Sequence, residues 1–215
     1  HKDCGLSIGN PNVFSLNKLD VLAIAQEIGL LIPATIITTD INYLKDFKSE
    51  YKNIISKCIY EAIQVFDEDS KTELMLYTEL IEENDLKKYP KTFFPTLFQE
   101  AINKEFELRI CYTSGELYSM AIFSQNDKQT MVDFRKYNNK KPNRCVPFNL
   151  PSNIKYKLVK LMKKLDLNFG QIDMIKKQNG GYYFLEVNPI GQFKMTSFPC
   201  NYPIEKNIAN KLLKM

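Results

Sequence analysis

Two carboxylates and a carboxamide near the end of the chain have the spacing to hold a hard cation. Glu186 and Asn188 lie two apart in YYFLEVNPIGQF (182–193), which puts both on one face of a strand. Just upstream, QIDMIKKQNGGYYFLEVN reads as a hairpin turned at Asn179-Gly180, a pair suited to a two-residue type I′ loop. Counting inward from that turn sets Asp173 directly opposite Glu186. Facing acids repel across a ladder. The surface is therefore either a solvated edge or a site for a divalent cation, which takes oxygen ligands and leaves room for substrate phosphates. A bulge between the turn and Asp173 would undo that register.

Other elements must position these residues. NKLDVLAIAQEIG (17–29) predicts a helix with Asn17 as N-cap and Gly29 as its end. LLIPATIITTD then reads as extended chain broken by Pro33. NIISKCIY (53–60) and ELMLYTELI (73–81) read as paired strands with FDEDSK as the turn, KKYPKTFFP (87–95) as loop and TLFQEAI (96–102) as a short apolar run. Residues 107–125 form a second hairpin pattern around Ser114-Gly115. PSNIKYKLVKLMKKLDL (151–167) predicts a helix capped by Ser152, and residues 203–215 a closing amphipathic helix. Strands and helices mix without strict alternation, so the expected class is α+β.

Composition narrows the chemistry. The 215 residues are 44% hydrophobic and 12% aromatic, enough for a folded core. A single histidine, His1, argues against histidine triads and histidine-bound metals. Five scattered cysteines fit a reducing cytoplasm rather than a disulfide frame or zinc site. The net charge is +4 and the lysines are dispersed, which reads as a solvated surface with no nucleic-acid stripe. No apolar run reaches membrane-spanning length. The three arginines, Arg109, Arg135 and Arg144, fall in one segment, and arginine suits bidentate phosphate or carboxylate contacts.

With these residues in view, the chain resembles the ATP-grasp ligases. It is closest to the peptide-maturing branch that makes graspetides, the microviridin-type and grasp-with-spasm maturases. EVNPIGQF (186–193) is similar to the branch's metal-binding signature, which implies Asp173, Glu186 and Asn188 as the metal residues, with two magnesium ions. NKLDVLAIAQEIGLLIP resembles the segment whose lysine reaches the ATP phosphates, here Lys18, and IISKCI the strand with the second such lysine, Lys57. FQEAI resembles the hinge whose backbone meets adenine, here Gln99, Glu100, Ala101 and Ile102. ELR resembles the acid-x-Arg step, with Glu107 on the ribose and Arg109 near the reacting phosphate. Arg135 in DFRKY is a further clamp, and Arg144 a weaker candidate. Without the resemblance, Lys18 reads equally as a solvent-facing charge, and Arg109 as a partner for Glu107.

The resemblance implies two α+β lobes gripping ATP: a central lobe over 17–98 and a C-terminal lobe with the metal site over 99–215. Residues 1–16 would be a remnant or linker from a preceding domain that is missing here. It also implies an ADP-forming, ATP-dependent ligase. An Asp or Glu side chain of a ribosomal precursor peptide is phosphorylated, then joined to a Ser or Thr hydroxyl or a Lys amine, closing a macrocycle. Expected partners are that peptide with its leader segment, and a second copy of the chain in a homodimer. Two other readings share the nucleotide residues: a carboxylate–amine ligase adding a free amino acid, and a non-catalytic nucleotide-binding peptide receptor. One departure bears on them. The segment YEAIQVFDEDSKTE, where classical members carry a glycine-rich flap, contains no glycine.

Overall fold

The computed structural model describes residues 7–10, 12–13, 15–60, 64–67, 72–75 and 77–213. In chain order its elements are α1 (Lys18–Glu27), β1 (Thr35–Asp40), α2 (Ile41–Tyr51), β2 (Ile54–Lys57), β3 (Gln64–Asp67), β4 (Thr72–Met75), β5 (Glu79–Ile81), α3 (Glu83–Leu86) and β6 (Thr92–Glu100). Then follow β7 (Lys104–Thr113), β8 (Glu116–Ile122), β9 (Cys145–Pro147), α4 (Ser152–Lys164), β10 (Phe169–Lys177), β11 (Tyr182–Asn188), α5 (Lys194–Cys200) and α6 (Ile204–Leu213). The class is α+β, as expected. The chain divides into two compact units, one of residues 1–32, 104–123 and 144–215, the other of 33–103 and 124–143.

The first unit is built on an antiparallel sheet in the order β11-β10-β7-β8-β9. One face carries Phe106, Leu108, Ile110, Ile172, Met174, Phe184 and Val187, which pack with α1 and α4 through Val21, Leu22, Ala25, Leu158, Leu161 and Met162. Helix α1 begins where Asn17 Oδ1 accepts from the Leu19 and Asp20 N–H groups. It ends where Gly29 turns left-handed (φ 86°), with its N–H on Gln26 and that of Leu30 on Ala25. Both ends match expectation. Helix α4 differs: Pro151 takes the cap position and Ser152 makes no capping bond, because the Pro151 carbonyl already receives Ile154 and Lys155. The Lys194–Cys200 helix was not expected. The closing helix runs to Leu213, and its last two expected residues lie outside the described ones.

The second unit centres on the antiparallel sheet β1-β6-β2-β5, with β3 and β4 as a separate pair. Helix α2 covers one face, burying Ile41, Leu44 and Phe47 against Ile54, Ile81 and Phe98. Sequence reading assigns no element to 41–52, although its signals are present. Asp40 Oδ1 caps the Asn42 N–H, and apolar residues recur at helical spacing. Part of the expected loop at 87–95 is strand, since β6 starts at Thr92. Pro95 is tolerated there because the ladder to β1 is irregular between Thr96 and Thr92. Only Glu79–Ile81 of the run 73–81 pairs with β2; Thr72–Met75 pairs with Gln64–Asp67 instead. Residues 68–71 of the expected FDEDSK turn lie outside the described residues.

Leu158 on α4 is fully buried in the first unit's core. Leu158→Ala is expected to cost about 3 kcal/mol of stability, read as a lower denaturation midpoint at unchanged slope in urea unfolding.

Candidate active site

The hairpin β10–β11 places Asp173 opposite Glu186, though not by the expected turn. Lys177 N–H donates to Gly181 O and Gly180 N–H to Lys177 O, so three residues form the loop. Only Asn179 turns left-handed there (φ 50°), whereas a type I′ turn needs both central residues so. The longer loop shifts the register by one, pairing Lys176 with Tyr182 and Met174 with Phe184. A bulge between Met174 and Asp173 then shifts it back, and Asp173, Ile172 and Gln171 face Glu186, Val187 and Asn188. The bulge thus restores the pairing that the turn alone would have lost. It also lets Phe184 and Val187, three apart, share the core side, leaving Glu186 and Asn188 on the other.

That other face continues onto β7. Asp173 pairs with Arg109, Ile175 with Glu107 and Gln171 with Cys111. Ion pairs among the described residues line it. Arg109 Nη1 lies 2.6 Å from Asp173 Oδ2, both nearly buried. Lys104 Nζ lies 2.5 Å from Glu107 Oε1, also buried. Lys18, the first residue of α1, reaches Glu186 at 3.4 Å. Asn188 Oδ1 accepts the Ile190 N–H at 3.0 Å. Arg109 Nε is a buried donor with no acceptor among the described residues. Unsatisfied buried donors are uncommon, and at a polar surface they mark places where a ligand oxygen would be welcome.

Asp173, Glu186 and Asn188 offer only oxygens, the donor set of a hard divalent ion, and they share one sheet face. Among the described residues no group of three His, Cys, Asp or Glu side chains is arranged as metal donors. A cation here would have two carboxylates and one amide from the chain, taking its remaining oxygens from phosphate and water. Those three residues fit magnesium in donor type and number.

Two participants escaped sequence reading. Gln171 extends the polar row as the cross-strand partner of Asn188, and its Oε1 accepts from Thr196 Oγ1 at 3.4 Å. Gly191 permits this closeness, since a Cβ there would stand 2.0 Å from Gln171 Cγ. The other is Lys104, which sequence spacing would have put on the face away from Glu107. Cys111, beside Gln171, is pushed up to about 11 by burial, so it is an inert thiol here.

Lys57, Gln99–Ile102 and Arg135 belong to the second unit. Register pairs Gln99 with Ile55 and Leu97 with Lys57, which sets Lys57 and Gln99 on the sheet face opposite α2. Gln99 is fully buried, and its Nε2 donates to Thr35 Oγ1 at 2.9 Å. The N–H groups of Glu100 and Ala101 are taken by the carbonyls of Ala34 and Asn53. The glycine-free flap segment holds β3 and the start of β4. Arg135 is gripped by Asp133, with Nε 2.9 Å from Oδ1 and Nη2 2.6 Å from Oδ2. Asp133 also accepts the Thr78 N–H at 3.0 Å. In the first unit, Arg144 stacks 5.1 Å over the Phe123 ring, which gives it a packing role.

No protein-family profile matches the chain, and no curated protein matches it. Solved structures do. The RiPP-associated ATP-grasp ligase of Chryseobacterium gregarium, determined with ADP and a leader and core peptide, is 28% identical with a TM-score of 0.85 over 97% of this chain. Macrocyclase MdnC of Microcystis aeruginosa, bound with precursor peptide MdnA, is 31% identical with a TM-score of 0.77 over 92%. Macrocyclase MdnB of the same organism is 29% identical with a TM-score of 0.65 over 91%. The chain spans 63%, 60% and 58% of their respective lengths. It has the ATP-grasp fold of the Chryseobacterium gregarium ligase. Among the described residues no helix is long and apolar enough to cross a membrane.

The Asp133–Arg135 grip is testable apart from any ligand. Burial works to raise the Asp133 pKa, but the Arg135 guanidinium and the Thr78 N–H outweigh it and hold the carboxyl below its usual range. A depressed folded pKa stabilises above the unfolded value, about pH 4, and that contribution is lost as pH falls through the folded value. Asp133→Asn is expected to lower stability by about 2 kcal/mol at neutral pH. In denaturant titrations the gap between variant and parent should close on acidification.

Proposed function

We propose that the protein is an ATP-dependent ligase that activates an Asp or Glu side chain of a ribosomally made precursor peptide. The activated acyl group is then joined to a Ser or Thr hydroxyl or a Lys amine of the same peptide. The observation that carries this is the row Arg109–Asp173–Glu186 across three strands, flanked by Glu107, Asn188 and Lys18, on one sheet face of an ATP-grasp fold. Such a row matches what phosphoryl transfer needs: fixed cations for the transferring group and oxygen ligands for its counter-ion. The neighbour from Chryseobacterium gregarium, solved with ADP and a leader and core peptide, supports the same reading.

In this mechanism a substrate carboxylate oxygen attacks the γ-phosphorus of ATP. The bond to the β-phosphate oxygen breaks, giving an acyl phosphate and ADP. A hydroxyl or amine then attacks the acyl carbon, loses its proton, and expels inorganic phosphate. Arg109 is set for the transferring phosphoryl group: Asp173 orients its guanidinium through Nη1, and its buried Nε is a further donor. Lys18 contributes positive charge at the N-terminal end of α1, where the helix dipole adds to it. Glu107 holds the ribose hydroxyls. Lys57 is the second phosphate lysine, and Arg135, held by Asp133, is a further clamp. The stretch Gln99, Glu100, Ala101 and Ile102 meets adenine through backbone groups other than the Glu100 and Ala101 N–H, which the Ala34 and Asn53 carbonyls hold. Asp173, Glu186 and Asn188 would hold two magnesium ions, which neutralise phosphate charge when bound.

The expected outcome is read by mass spectrometry of a candidate precursor peptide with its leader, incubated with full-length protein, ATP and magnesium. The peptide should lose one water per crosslink, and only when ATP is present. Glu186→Gln keeps the side-chain volume while removing a charged oxygen ligand, and should slow turnover at least about 100-fold with the fold intact. An unchanged peptide, with ADP released only on adding free amino acids, would instead identify a carboxylate–amine ligase. ATP binding without ADP formation for every acceptor would identify a receptor.

A further inference from the structure

Lys104 and Glu107 are three apart on β7, a spacing that in a regular strand points side chains to opposite faces. They nevertheless meet, with Lys104 Nζ 2.5 Å from Glu107 Oε1, and both side chains are about nine-tenths buried. The backbone explains how. The β7–β10 ladder runs Ile175 to Glu107 and Lys176 to Phe106, then skips so that Lys177 faces Lys104. Glu105 is the extra residue, a bulge that turns Lys104 onto the face of Glu107. Glu105 itself is exposed and approaches Lys176 at 3.4 Å. A bulge that delivers one buried cation to one buried carboxylate is a specific arrangement, because each charge left alone in that place would be costly.

The pairing also settles a competition. Arg109 lies two residues from Glu107 on the same face and is the obvious alternative partner for that carboxylate. In the structure Arg109 goes to Asp173, while Glu107 goes to Lys104. The residues opposite Glu107 on the neighbouring strands, Ile175 and Ile122, are apolar and bring no charge. Lys104 thus engages Oε1 with a charge-assisted hydrogen bond. A carboxylate has about four lone-pair sites, of which the Lys104 bond takes one.

Resting on the reading that Glu107 meets ribose, we infer that Lys104 is a positioning residue. It aims Glu107 at the 2′- and 3′-hydroxyls of the nucleotide and keeps Arg109 available for phosphate. Lys104 acts through Glu107 and does not itself touch the nucleotide.

The test is calorimetric titration of ATP and 2′-deoxy-ATP into full-length protein, comparing the parent, Lys104→Met, Glu107→Gln and the double variant. Thermal unfolding without nucleotide checks that each is folded. The parent should prefer ATP over 2′-deoxy-ATP by about tenfold or more, the scale of a hydrogen bond to a charged group. Lys104→Met should bring that ratio close to one, weakening ATP more than 2′-deoxy-ATP because the 3′-hydroxyl contact is lost from both, and Lys104→Arg should restore most of it. In the Glu107→Gln background, adding Lys104→Met should change neither affinity further. A folded Lys104→Met that keeps the parental ratio overturns the inference. An additional loss of ATP affinity in the Glu107→Gln background overturns it too, by showing that Lys104 acts another way. That second comparison stands even if the single variant cannot fold, since it leaves no buried carboxylate uncompensated. A parent that binds no ATP, or binds both nucleotides equally, sinks instead the ribose reading beneath it.

Discussion

Five charged side chains, Lys104, Glu107, Arg109, Asp173 and Glu186, sit on one half-buried sheet face of the first unit, and every one must be answered by an opposite charge. Ion pairs in such a place are not an efficient source of stability, since desolvation offsets most of the attraction. Their value is geometric. A carboxylate fixed by a cation keeps its charge and its direction, which is what a site for phosphates and magnesium requires before any ligand arrives. The alternation along the row, with Lys104 on Glu107, Arg109 on Asp173 and Lys18 on Glu186, keeps like charges from meeting unscreened.

The opposite face of the same sheet explains why the charges can be held so firmly. Phe106, Leu108, Ile110, Ile172, Met174 and Phe184 anchor the strands on α1 and α4, so the ladder cannot slip without burying polar groups. Two bulges tune it. One near Glu186 returns the acids of β10 and β11 to the same side. The other, at Glu105, swings Lys104 beside Glu107. Without the first, Glu186 would stand opposite Ile172 and point into the core. Bulges cost ladder hydrogen bonds, and here each re-aims a charged side chain.

The second unit solves a similar problem with different parts. Its sheet turns Ile36, Ile54, Ile81 and Phe98 toward α2 and presents Gln99 and Lys57 on the other side. Arg135 lies in the irregular stretch between β8 and β9, where no strand register could fix its direction. Asp133 does so instead, with two oxygens on the guanidinium and the backbone N–H groups of Thr78 and Arg135 on itself.

What the sequence determined by itself was local or periodic. Asn17 and Gly29 bound α1 because capping depends on nearest neighbours. Ser114-Gly115 turned its hairpin as read, with both residues left-handed. The likeness of EVNPIGQF and ELR to ATP-grasp motifs pointed to the fold because those residue types recur in order along the chain. Tertiary structure alone decided the rest. Helix α2 was overlooked because its apolar stripe gains meaning only against a sheet drawn from distant residues. The pairing of Asp173 with Glu186 was reached through a turn that does not form, and a bulge invisible to period-two counting supplied it. Lys104 meets Glu107, and Arg109 chooses Asp173 over its neighbour, for a common reason. Which charges meet on a sheet depends on register and bulges, and those are set by how the opposite face packs rather than by spacing along the chain.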